Sequence, residues 1–363
     1  MPRISSCLSS HSTTILSPRA AVAEVWRRSL RSACFQTTSR PFHPIAPPPR
    51  SATTIDDPLD GRAGITASLV QRLIDSQFPR WSGLPVKPVA EDGQDNRTYR
   101  LGHSLTARLP TAAAYEQGVA KEDRWLEELA PALPLEIPSV KARGRPGQGY
   151  PYAWSVRGWI PGATLESRQE EVADWDTIAA SLGRFIQALQ KCDATGGPVA
   201  GAHCWFRGCS LHRYHDETMQ ALAAVRFDSR FSSAAASAAQ VWTAALAEKE
   251  WEKPPVWFHG DLSAANLLVG DDGYLVAVID FGTCGVGDPA CDLVPAWTVF
   301  AGSARRRFKD AVSQDAATWA RARGWALWKG LITLADETRT LQARSKAFAV
   351  VASVIEDHQL HLT

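Results

Sequence analysis

Long apolar runs are missing from this sequence. None approaches the ~18–20 residues that a membrane-crossing helix needs, so no membrane partner is expected. A charge excess is missing as well: 39 Lys and Arg against 38 Asp and Glu leave a formal net charge of +1. That balance gives no electrostatic footprint for nucleic acid or an anionic membrane surface. Methionine occurs only at positions 1 and 219, so a start nearer the body would need a non-AUG codon. The seven cysteines (7, 34, 192, 204, 209, 284 and 291) are odd in number and irregularly spaced. This argues against a disulfide framework and for free thiols in a reducing compartment. What is present, 45% hydrophobic and 21% charged residues over 363 positions, is globular composition with room for two or three lobes around a sizeable core.

Acids are also scarce in the first part of the chain, where Glu24 is the only one before Asp56. Seven arginines punctuate residues 1–60 among dense Ser and Thr, and Pro41 to Pro49 is an unhelical Pro-rich run. We read 1–60 as a tail outside the fold, disordered or upstream of the true start, and expect a cytoplasmic protein. Arg-rich, Ser-rich and acid-poor is equally the composition of an organelle transit peptide, which makes a mitochondrial location the alternative.

Chemistry concentrates between Trp257 and Trp297. Asp261 follows His259-Gly260, Asn266 comes five residues later, and Asp280 stands in Ile279-Asp280-Phe281-Gly282. Leu267-Leu268-Val269 and Tyr274 to Ile279 are apolar and β-prone, and Gly270-Asp271-Asp272-Gly273 between them carries turn chemistry. A hairpin would bring Asn266 and Asp280 together although fourteen positions separate them. Phosphoryl transfer needs such a set: a carboxylate to orient the attacking hydroxyl, and an amide oxygen with a second carboxylate to hold Mg²⁺ on the phosphates. The protein-kinase catalytic loop and its DFG turn supply them in this order. Here the loop opens His-Gly-Asp instead of His-Arg-Asp.

On HGDLSAANLLV, VIDFG and GDPACDL the chain resembles the aminoglycoside phosphotransferase family, small-molecule kinases of antibiotics, choline and homoserine with a protein-kinase-like fold. The resemblance covers roughly residues 66–363 and is strongest from Phe258 to Leu293. It implies an α+β fold of two lobes: a nucleotide-binding lobe with a small antiparallel sheet (66–157) and a mostly helical catalytic and substrate-binding lobe (158–363). It also implies ATP and Mg²⁺ as cofactors and a hydroxylated small molecule as substrate, with an aminoglycoside leading; the oligomeric state stays open. Carried over residue by residue, Asp261 is the catalytic base, Asn266 and Asp280 bind the metal, and His259 and Asp292 support the loop.

The elements before the motif follow the same plan. Thr66 to Phe78 has an apolar helical face capped by Thr66. Val86 to Val89, Arg97 to Leu101 and Leu105 to Leu109 read as strands. The loop Glu91 to Asn96, with one glycine, stands where a kinase places its phosphate-covering loop; a plain turn fits it as well. On the third strand a kinase carries a phosphate-gripping lysine, and this chain has Arg108, whose guanidinium can grip phosphate in a different geometry. Glu122, on a helix from Tyr115 to Leu129, fits its ion-pair partner. The strand Ala153 to Ile160 runs into the hinge, with Trp159 and Ile160 as candidate walls for adenine.

In the second lobe, Asp174 to Lys191, Asp216 to Val225, Ala316 to Ala335 and Ser345 to His358 read as helices, and Asp288-Pro289 as a helix start. His203, Cys204, Cys209, His212 and His215 lie close together, but their spacing is not a common zinc arrangement and their aromatic and glycine neighbours suggest a packed loop. Acids on the last helices would meet a cationic substrate. Asp310, Asp315, Asp336, Glu337, Glu356 and Asp357 are available, and nothing in the sequence selects among them. A nucleotide-binding pseudokinase is the rival from outside the enzyme class, motivated by Arg108 and the glycine-poor loop.

Overall fold

A computed structural model describes residues 62–89, 92–93, 95–226, 231 and 234–361. The Arg- and Ser-rich stretch 1–60 lies outside the described residues, as do Glu91 and Gln94 of the loop before the second strand.

Helix α1 (Ala67–Gln77) begins where the Thr66 hydroxyl accepts from the Leu69 amide at 3.2 Å, and it buries Leu69, Val70, Leu73 and Ile74. Five strands follow in an antiparallel sheet: β1 (Val86–Pro88), β2 (Asn96–Leu101), β3 (Leu105–Pro110), β4 (Val140–Gly144) and β5 (Trp154–Gly158), in the spatial order β1-β2-β3-β5-β4. Strand alternation divides the chemistry between the two faces. Leu105, Ala107 and Leu109 of β3, with Trp154 and Val156 of β5, join Val70, Leu73 and Ile74 in one apolar core. The intervening Arg108 and Arg157 emerge on the opposite face, where α2 (Ala113–Leu129) packs. Thus the period of two that builds the core also delivers two arginines to one helix.

The rest of the chain is mostly helical: α3 (Trp175–Lys191), α4 (His215–Val225), α5 (Ala235–Ala247), the short α6 (Pro295–Thr298), α7 (Gly302–Val312), α8 (Ala316–Ala335) and α9 (Leu341–Leu360). Helix α8 is surrounded by α4, α5 and α9, which explains why it is buried on nearly every side and apolar almost all round. Between α5 and α6 the chain forms β7 (Val256–Phe258), the hairpin β8 (Leu267–Val269) with β9 (Leu275–Val278), and β10 (Gly285–Gly287). The hairpin adds β6 (Ala163–Thr164) as a third strand, and β7 pairs with β10.

Most of the expected elements form within two residues of their anticipated bounds. The exceptions have physical reasons. Helix α5 was not anticipated, because its sequence AASAAQVWTAALA is rich in alanine and gives no large-residue periodicity. Asp288 does cap, accepting from the Ala290 amide at 3.0 Å, but what it heads is a 3₁₀ stretch, Pro289–Leu293. The last helix starts earlier than Ser345, at Leu341, where Thr340 supplies the cap. Cys192, Cys204, Cys209, Cys284 and Cys291 are free thiols. No group of three potential metal ligands forms among the described residues, and Cys204 is instead directed to the carbonyls of Gly201 and Arg207.

Candidate active site

The catalytic loop is fixed from beneath. Asp292, fully buried, accepts from the His259 amide at 2.6 Å and the Gly260 amide at 2.7 Å. Burial raises its pKa, and the two amides with His259 work against that rise. His259 is also fully buried, and both of its ring nitrogens are engaged: Nε2 lies 3.0 Å from the Ile279 carbonyl, and Nδ1 accepts from the Asp261 amide at 3.2 Å. His259 therefore ties the loop to the end of β9, and neither ring nitrogen is left to move a proton. The glycine of His-Gly-Asp has a conformational reason. Gly260 sits at φ +86°, and a Cβ there would lie 2.7 Å from the Thr283 carbonyl oxygen.

Asp261 leaves this scaffold exposed to the cleft. The Asn266 side-chain amide donates to the Asp261 carbonyl at 2.8 Å and to its carboxylate at 3.0 Å, which commits the Asn266 nitrogen and leaves its oxygen for another ligand. The Ile279 amide donates to the Asn266 carbonyl at 2.9 Å, so the hairpin sets Asp280 beside Asn266 as its spacing suggested. Asp280 adopts the left-handed region at φ 67°, which turns the chain out of β9. Phe281 then buries itself against His259 and Phe185, while α2 approaches the same turn through Gly118 and Gly282.

Above the loop, Arg108 connects the lobes. It pairs with Glu122 at 3.1 Å and with Asp280, and it takes the Asn96 side-chain oxygen at 3.0 and 3.3 Å when that amide faces it. Burial opposes its charge, but Asp280 and Glu122 outweigh burial and hold its pKa above the ordinary arginine value. Glu122 has a second partner that sequence reasoning missed: Arg157 of β5 donates to both of its oxygens, at 3.0 and 2.8 Å. Burial would raise the Glu122 pKa, yet Arg108 and Arg157 together lower it to about 2. Alternation on β5 could have shown Arg157 on the face of Arg108, but no spacing rule links it to Glu122.

Two further placements bear on nucleotide binding. Ile160 packs on Leu268 and Ala277 of the hairpin, whereas Trp159 meets Arg100, whose guanidinium carbon is 3.8 Å from the indole centroid. Asp95, at the end of the loop before β2, lies within the electrostatic reach of Asp280 and Asp261. Burial first and then Asp280 raise its pKa to about 6, while Arg108 lowers it. The sequence had marked this loop but not this residue.

Set beside known proteins, residues 86–325 match the model of a phosphotransferase enzyme family, well over half of the chain. The fold is that of the GDP complex of wild-type aminoglycoside 2'-phosphotransferase-IIIa (TM-score 0.61, 17% identity, covering 81% of this chain and 99% of that one). The GDP and kanamycin complex of APH(2")-IIia is similar (TM-score 0.60, 18% identity, 79% and 98% covered). So is the apoenzyme of macrolide 2'-phosphotransferase MphH from Brachybacterium faecium (TM-score 0.50, 24% identity, 78% and 97% covered). No curated protein matches the chain significantly. A sequence match across both the sheet and the catalytic hairpin, on a fold shared with nearly the full length of these kinases, makes this chain an enzyme of the phosphotransferase family.

Proposed function

We propose that the protein transfers the γ-phosphoryl group of ATP to a hydroxyl of a small molecule, with Mg²⁺ on the phosphates. The observation that carries this is the convergence of Asp261, Asn266 and Asp280 under a cation that spans the lobes. The donor set fits the metal. Asn266 and Asp280 offer hard oxygen atoms, which suit Mg²⁺, an ion that takes few protein ligands and completes its shell with water and phosphate oxygens. When bound, Mg²⁺ would neutralise phosphate charge that builds during transfer. Asp261 accepts the proton of the acceptor hydroxyl as that oxygen attacks the γ-phosphorus, and the β–γ bridging oxygen leaves with the bonding electrons on ADP. Arg108, moving between Asp280 and the phosphates, would grip the nucleotide while Arg157 keeps Glu122 in place. Ile160 and Trp159 would border the adenine. The family resemblance offers an aminoglycoside as acceptor, and macrolide, sugar and amino-alcohol acceptors are its alternatives.

Three variants test the division of roles. Asp261→Asn should cut kcat by roughly 10²–10⁴-fold with nucleotide affinity nearly intact. Asp280→Ala should lose Mg²⁺-dependent nucleotide binding together with turnover, and Asn266→Ala should fall between, recovering partly at high Mg²⁺. Nucleotide affinity with and without Mg²⁺, alongside melting temperature, is the measurement. Equal loss of affinity in Asp261→Asn and Asp280→Ala would sink the assignment.

A further inference from the structure

Near the loop that carries Asp261 stand two cations, Arg207 and Lys329, that make no ion pair among the described residues. The turn after Ala202–Cys204 runs through two left-handed residues, Trp205 at φ 51° and Phe206 at φ 55°, and sets Arg207 against the catalytic loop. A Cβ on Gly260 would lie 3.3 Å from the Arg207 Cβ. The Arg207 guanidinium stands over Trp328, 4.8 Å from the ring, and donates to the Trp205 carbonyl at 3.3 Å and the Tyr214 hydroxyl at 3.4 Å. Lys329, one position beyond Trp328 on α8, has its ammonium 6.0 Å from that ring, and among the described residues this ammonium makes no hydrogen bond or ion pair. Its side chain is solvent-accessible. Even so, protein around the ammonium lowers its pKa by desolvation, and Arg207 lowers it further. Arg207 thus lies against the residue before Asp261, and Lys329 shares the Trp328 ring with it. Glu217, the nearby acid, is buried and accepts from the Trp328 indole at 2.7 Å.

Three of the six acids that could have met a cationic substrate are engaged elsewhere, while Asp310, Glu337 and Glu356 are exposed. Asp357 pairs with Lys309 at 2.6 Å and Arg323 at 3.2 Å. Asp315 caps α8 and pairs with Lys253 at 2.7 Å. Asp336 holds Thr338 and Arg339. An anionic group on the ligand would give both cations an ion-pair partner through charge-assisted hydrogen bonds.

Resting on the phosphotransfer reading, we propose that the acceptor carries an anionic oxygen group, a carboxylate or a phosphate monoester, besides the hydroxyl that is phosphorylated. Arg207 and Lys329 bind that group, and the stacked Trp328 holds the Arg207 guanidinium in place. A site so read suits a hydroxy acid or sugar phosphate.

The test uses the full chain in two arms. In the first, turnover with Mg·ATP is measured for matched acceptors: glycerate against glycerol, gluconate and glucose 6-phosphate against glucose, and kanamycin. In the second, calorimetry measures binding of the same compounds in the presence of a non-hydrolysable ATP analogue, so that the anion site is read even without turnover. The anionic member of a pair should bind and react at least tenfold better than its neutral counterpart, carboxylate and phosphate being separated by the choice of pair. Lys329→Gln should raise Kd and KM of the anionic acceptor by roughly tenfold to a hundredfold and shift those of the neutral one far less. Arg207→Lys should restore part of what Arg207→Gln loses. Preference for kanamycin, no binding of any anionic compound, or equal anion binding by wild type and Lys329→Gln would overturn the proposal. A Lys329→Gln loss in kcat that is the same for every acceptor would also overturn it, by assigning the lysine to the γ-phosphate. Absence of turnover with intact anion binding would instead refute the phosphotransfer reading alone.

Discussion

Glu122→Gln removes the charge that holds two guanidinium groups together inside the protein. The Glu122 side chain is 2% exposed, that of Arg157 3% and that of Arg108 12%. Without the carboxylate, Arg157 loses its ion-pair partner, and Arg108 keeps its pair with Asp280 at the cleft edge. Breaking a buried pair by deleting one partner costs roughly 3–5 kcal/mol. The titration gives a second figure: a pKa lowered from 4.5 to about 2 corresponds, at about 1.36 kcal/mol per pH unit, to about 3 kcal/mol. A carboxyl with a depressed folded-state pKa contributes stability that is present above its unfolded value and lost as pH falls through the folded one. The wild type should therefore shed about 3 kcal/mol between pH 5 and 2 that the Gln variant has already lost at pH 7. At pH 7 the variant should melt roughly 5–10 °C lower. Urea unfolding at pH 7 and melting followed by circular dichroism from pH 7 downward, for both proteins, check this. Wild-type stability in Glu122→Gln, or acid profiles that run parallel, would refute the reasoning.

Two other substitutions probe the same machinery. Gly260→Ala would force a Cβ into the left-handed region and to 2.7 Å from the Thr283 carbonyl; it should cost roughly 1–3 kcal/mol and lower turnover by displacing His259 and Asp261. Wild-type melting and kinetics in that variant would show that the loop can relax. Arg108→Ala should raise the apparent Mg·ATP KM about tenfold or more, with Arg108→Lys between it and wild type, because charge survives while the two-pronged geometry does not. Unchanged ATP kinetics would leave Arg108 as an anchor of Glu122 only.

The catalytic hairpin was legible in the sequence because its parts are local. His259, Asp261, Asn266 and Asp280 fall within one loop and one two-stranded turn, so strand propensity and spacing are enough to bring them together. The pairing of Glu122 with Arg108 was legible mainly through the resemblance, which puts such an ion pair between the third strand and the following helix, and it forms at 3.1 Å. Tertiary structure alone decided what surrounds this frame. Arg157 reaches Glu122 across 35 positions, and Arg207 reaches Trp328 from a separate loop. Asp315 and Asp357 found Lys253, Lys309 and Arg323 only when their helices packed. Residues far apart in the chain meet through packing, which leaves no period or spacing to read. A sequence can therefore show that acids and cations are available, but which of them pair and which meet in the cleft appears only in the folded structure.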